Sequence, residues 1–147
     1  MRIRASVLSV LAFTLACDAL SPSTDFRHAT ATFMCGPADG GATAITLSPE
    51  PIPANEPTYP YVQITILEQL SALSGHTFLV GRNGAAWASY VTGPGAFEDV
   101  STGRLSIGAV DPDSTVHGEV NLRFGSRRVV RAFRAEWIRN NPTVLCG

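Results

Sequence analysis

The chain has 147 residues, 45% of them hydrophobic and 16% charged, with a formal net charge of −1. That length supports one domain with a real core and scarcely two. Eleven basic residues against twelve acidic ones give no sign of nucleic acid as a partner. All eleven bases are arginines, which a GC-rich genome explains as well as any function does.

Met1-Arg2-Ile3-Arg4 opens the chain with two cations, and Ala5 to Ala16 then runs without a charge. A basic n-region, a short apolar h-region and small residues in that order predict a signal peptide over residues 1–16. The apolar run is shorter than the roughly 20 residues that a permanent membrane helix needs. Its loss would remove two arginines and leave a domain of net charge −3.

Thr14-Leu15-Ala16-Cys17 resembles the lipobox of bacterial lipoproteins, in which Leu, a small residue and Gly or Ala precede the Cys that receives lipid. Ala16 and Cys17 fit the pattern, whereas Thr14 and Leu15 depart from it, which leaves ordinary cleavage after Ala16 or Ala19 open. The resemblance implies lipid at Cys17 and a domain tethered to a membrane. Three cysteines are an odd number for an exported chain. With Cys17 lipidated, Cys35 and Cys146 remain as the expected disulfide of an oxidising compartment.

Residues 17–28 are polar and carry a proline, the composition of a tether, and residues 29–147 read as a single β domain. Ala29 to Phe33 and Ala42 to Leu47 predict two strands around the turn Gly36 to Gly41, a hairpin candidate. The stretch "PEPIPANEPTYP", residues 49–60, excludes helix and central strand alike and predicts an exposed crossover. Tyr61 to Ile66 alternates β-branched residues and predicts a strand. Leu67, Leu70 and Leu73 fit one or two helical turns near residues 67–74, or a leucine-bearing loop.

His76 to Val80, Arg82-Asn83-Gly84 and Ala85 to Val91 read as strand, tight turn and strand, because Asn-Gly suits a two-residue hairpin. Gly93-Pro94-Gly95 breaks the chain before a strand over Arg104 to Val110. Asp111-Pro112-Asp113-Ser114 reads as a proline-stiffened turn, since it lacks the Gly and the bidentate Glu of a calcium loop.

Val116, Gly118, Val120, Leu122 and Phe124 alternate with polar residues, and Val129 to Trp137 returns as their partner strand. Placing Phe124 opposite Val129 sets Glu119 against Arg134 and His117 against Glu136. A slip of two residues would oppose Arg123 and Arg128, so charge predicts the first register. In it Arg131 points inward opposite Leu122, where a lone guanidinium is costly. Either a bulge turns Arg131 outward or it contacts a ligand inside.

The fold expected is an all-β antiparallel sandwich or small barrel of seven to eight strands, with at most one short helix. The closing pattern over residues 118–137 loosely resembles uncharacterised small bacterial lipoprotein domains, a resemblance that brings no activity or functional residues. Phosphate loops, zinc helices, Cys-x-x-Cys pairs and nucleophile elbows are all missing from the sequence. His117, Glu119 and Glu136 share one face as a weak metal candidate, better read as a charge ladder, so neither metal nor cofactor is assigned.

Six of the arginines, from Arg123 to Arg139, fall in the last 25 residues with Glu136 the only acid. They read as a solvated strand face or as an anion or headgroup-binding patch. The function expected is a non-enzymatic, membrane-tethered binding or structural domain of the bacterial cell envelope. Its partners are the membrane, through Cys17, and an unidentified envelope protein or small ligand. A calycin-like barrel holding a small apolar or anionic ligand at Arg131 is the alternative, and an envelope hydrolase assembled from distant residues is a third reading.

Overall fold

The computed structural model describes residues 25–36, 40–53, 56–111, 115–139 and Cys146. Among these residues nine strands form: β1 (His28–Cys35), β2 (Gly41–Ser48), β3 (Tyr61–Ile66), β4 (Thr77–Val80), β5 (Ala86–Gly93), β6 (Ala96–Asp99), β7 (Thr102–Asp111), β8 (Thr115–Phe124) and β9 (Arg127–Ile138). The leucine-bearing segment contributes a single 3-10 turn, Leu70–Ala72.

The sheet order is β3-β2-β1-β9-β8-β7-β4-β5-β6, and β3 also pairs with β5. That last pairing closes eight strands into a barrel and leaves β6 as an extra strand along β5. Most neighbours are antiparallel, but β1 and β9 run parallel, so the barrel is mixed. The expected small all-β barrel is the fold found.

Alternation builds the interior. Across β1, β2, β3 and β5 one register row is Ala31, Ile45, Ile64 and Ala88, all buried. In such a row alanines on two strands make room for isoleucines on the other two, as a narrow barrel requires. On the opposite wall Gly103 and Gly118 occupy inward positions facing Leu122 and Phe133. A Cβ on Gly118 would lie 2.7 Å from Phe133 Cζ, and one on Gly103 would lie 2.6 Å from Leu122 Cδ2. Both glycines therefore serve packing, and the interior is filled by side chains including Phe124, Leu122, Ile107, Leu105 and Ile64.

The Asn83-Gly84 turn does not make a hairpin. β4 pairs antiparallel with β7, β5 pairs with β3, and the two touch each other only through a parallel bridge, Val80 to Ala86. Gly81 adopts φ +152°, and the loop folds so tightly over Leu79 that a Cβ on Gly84 would strike its carbonyl. The chain thus turns a corner of the barrel, where Asn-Gly alone suggests a reversal.

The Gly93-Pro94-Gly95 break is instead a hairpin turn. It joins β5 to β6, a four-residue, fully exposed strand without alternation that leaves no trace in the hydrophobic pattern.

The register of the last hairpin also differs from the expectation. Phe124 pairs with Arg127, so Glu119 faces Ala132, His117 faces Arg134, and Arg123 lies directly opposite Arg128. Turn geometry outweighs the like-charge pair: Gly125, at φ +51°, supports a two-residue turn through Gly125-Ser126. Both arginines are exposed and each meets an oxygen, Arg123 Nε donating to Gly125 O at 3.2 Å and Arg128 Nε to Asn121 Oδ1 at 3.1 Å. The register also sets Arg127 over the Tyr90 ring, 4.1 Å from its centroid, and 3.2 Å from Glu98.

The β1–β9 seam is short. Among the described residues only Thr30, Ala31 and Thr32 pair with Glu136, Trp137 and Ile138, and none forms a strand beside the first part of β9 on that edge. Phe26, which the sequence places in the polar tether, is buried there and meets the core edge-on at Tyr90, with ring centroids 6.2 Å apart. The barrel thus begins slightly upstream of β1.

Candidate functional site

Arg131 occupies an inward register position, in the row Phe78, Leu105, Val120 and Arg131, yet its side chain is half exposed. No bulge produces this, since β8–β9 pairing continues through it. The missing neighbour strand does: Arg131 leans into the gap and its Nη1 lies 3.1 Å from Asp25 Oδ1. It faces Val120, not Leu122, and its partner is a carboxylate of this chain. Asp25 also accepts a 2.6 Å hydrogen bond from Arg27 Nε. That bond, with the charges of Arg27 and Arg131, holds the Asp25 carboxyl below the usual range against partial desolvation.

Cys35 ends β1 and is joined to Cys146, with Cα atoms 5.4 Å apart. The expected pairing is therefore present and staples the chain's C-terminal part to β1. Cys17, and the turn residues 112–114, lie outside the described residues.

His117, Glu119 and Glu136 do not form the expected ladder. His117 Nε2 lies 3.3 Å from Thr115 Oγ1, and Glu136 sits between Thr115 and Thr30. Among the described residues, no group of three or more His, Cys, Asp or Glu side chains is placed to hold a metal.

The outer face of β4, β7, β8 and β9 brings together residues far apart in the chain. One register row crosses it as Leu79, Arg104, Asn121 and Val130; the next toward the hairpin end is Thr102, Arg123 and Arg128. Arg104, Arg123 and Arg128 line one shallow depression of about 380 Å³ with Leu79, Thr102 and Asn121. None of the three meets a carboxylate among the described residues, whereas Arg27, Arg127 and Arg131 each do. Leu79 and Val130, at the two ends of their row, are 67% and 63% exposed.

The sequence reading sees Arg123 and Arg128 in the C-terminal arginine cluster but misses Arg104 and Leu79. Strand alternation marks both as outward, but only the β4–β7–β8 pairing places them beside the cluster. A second depression, of about 370 Å³, carries mixed charge: Arg27, His28, Arg134 and Glu136 line it with Pro51 and Ile52.

Compared with known proteins, the chain matches no family model, no curated protein and no solved structure.

Proposed function

We propose that the chain is an exported, lipid-anchored domain of the bacterial cell envelope that binds or scaffolds through its outer surface and is not an enzyme. The observation that carries this reading is the Cys35–Cys146 pair. It fits an oxidising compartment and leaves Cys17 as the remaining one of the three cysteines, at the position where the lipobox-like signal puts a lipid. Lipid at that residue would hold the domain at a membrane without a spanning segment, and no helix among the described residues is long and apolar enough to cross one.

Eight-strand closure accords with a calycin-like barrel at the level of architecture. The filled interior favours surface binding over that alternative, because Phe124, Leu122, Val120 and Leu105 occupy the space a lumenal ligand would take. Arg131, the candidate lumenal contact, is engaged by Asp25.

Metabolic labelling with a fatty-acid probe tests the anchor. Wild type is expected to label and Cys17→Ser not to; equal labelling of the two overturns the assignment.

A further inference from the structure

Resting on the membrane-tethered reading, we infer that the outer face of β4, β7, β8 and β9 docks onto anionic phospholipid headgroups through Arg104, Arg123 and Arg128. Guanidinium groups pair with phosphate oxygens through two parallel N–H donors, and they do so best where no carboxylate of the same protein competes. Among the described residues these three meet that condition, converging on one depression whose described lining holds no acid.

Charge alone would suit any anion, and the flanking residues narrow the occupant. Leu79 and Val130 expose aliphatic side chains at the two ends of the row that contains Arg104. Cations interleaved with exposed aliphatics suit a lipid interface, where phosphates meet the arginines and the apolar groups reach the acyl boundary. A freely dissolved phosphate gives Leu79 and Val130 nothing to bury against.

Chain length supplies the third argument. The first described residue, Asp25, is held against Arg131 of β9, and Arg128 lies three residues earlier in the same strand, roughly 10 Å away. Cys17 precedes Asp25 by eight residues, a reach of at most about 28 Å. A lipid at Cys17 thus keeps the hairpin end within reach of the bilayer, and the basic face supplies the second attachment that an acylated protein uses to bind firmly. The rest of the domain does not share this affinity, since without residues 1–16 its net charge is −3.

The test uses the full chain carrying Cys17→Ser, so that lipid does not dominate, with vesicles of phosphatidylcholine alone or with one-third phosphatidylglycerol. Preference for the anionic vesicles is expected to fall about fivefold per arginine removed, and so to vanish in the Arg104→Gln, Arg123→Gln, Arg128→Gln variant. A variant losing three other exposed arginines, Arg27→Gln, Arg134→Gln and Arg139→Gln, is expected to keep it.

Equal losses in the two variants would mean bulk charge and overturn the proposal, as would full retention in the first. Displacement by inorganic phosphate at matched ionic strength would mean a free-anion site and overturn it too. If the first variant does not fold, salt decides on the unmutated face: the preference is expected to collapse between about 0.05 and 0.5 M NaCl, and persistence sinks the idea. The anchor is judged separately by labelling at Cys17, so headgroup preference without labelling retires the tether alone, and labelling without preference retires the docking face alone.

Discussion

The wall formed by β7, β8 and β9 and the seam between β9 and β1 close the same barrel by different means. In the wall, β8 pairs with β9 along its whole length from Thr115 to Phe124, and chain reversals tie each strand to the next. At the seam the N-terminal and C-terminal strands of the described chain meet in parallel over three residues each. Local antiparallel pairing needs no further help; a short parallel contact between sequence-distant strands does. Here the help is a covalent bond, Cys35–Cys146, and a buried ring, Phe26, where strand pairing has lapsed.

The largest expected effect comes from the staple. The disulfide spans 111 residues of chain, and closing such a loop contributes about 4–5 kcal/mol on the chain-entropy view. Replacing both Cys35 and Cys146 by alanine is expected to lower Tm by roughly 15 °C, read by circular dichroism under non-reducing conditions. A change below a few degrees would mean that the seam holds without it.

Next comes the plug. Phe26→Ala removes a buried aromatic side chain and is expected to cost about 3 kcal/mol or more. It should also show where the cost falls: hydrogen exchange is expected to quicken at Glu136, Trp137 and Ile138 before it quickens along β8. Uniform acceleration across both regions would dissolve the distinction between wall and seam.

The wall has its own weak point. A Cβ on Gly118 would stand 2.6 Å from Ser106 O and 2.7 Å from Phe133 Cζ, so Gly118→Ala forces both the β7 backbone and the Phe133 ring to move. A loss of about 1–3 kcal/mol is expected, with global cooperative unfolding and no selective opening of β1. Substitution without loss would show that β7 and Phe133 both give way freely.

How much of this was legible depends on which physical signal each feature rests on. Tyr61 to Ile66 was readable to the residue because β-branched alternation marks both its ends, and β1, β2, β8 and β9 were found by the same signal. β6 was not, because an exposed edge strand with no buried residue has no alternation to show. The β8–β9 register was misread for a subtler reason. Slipping by two residues leaves every side chain on its own face, so hydrophobic pattern is blind to it, and cross-strand charge was asked to decide what turn geometry decides. The candidate site suffered likewise: Arg123 and Arg128 lie five residues apart in sequence, but Arg104 and Leu79 join them only through pairings that local patterns do not encode.

The smallest expected effect separates a contact that fills a gap from one that seals it. Arg131 and Asp25 meet beside Phe26 at the edge of the seam, but both are well exposed, and exposed ion pairs contribute little. Arg131→Met is therefore expected to shift Tm by less than about 2 °C, a small fraction of the Phe26→Ala loss. What the pair adds should appear in pH. The Asp25 carboxyl is held below its ordinary value of 3.8, first by the Arg27 hydrogen bond and then by the charges of Arg27 and Arg131, with desolvation opposing them. A depressed acid stabilises the fold at pH above its unfolded value and loses that contribution as pH falls through the lower folded value. Asp25→Asn should accordingly leave an acid melting curve slightly flatter below about pH 4 and change nothing near neutrality beyond the loss of the weak pair. A large drop at pH 7 would instead make the ion pair, and not the Phe26 ring, the element that closes the gap.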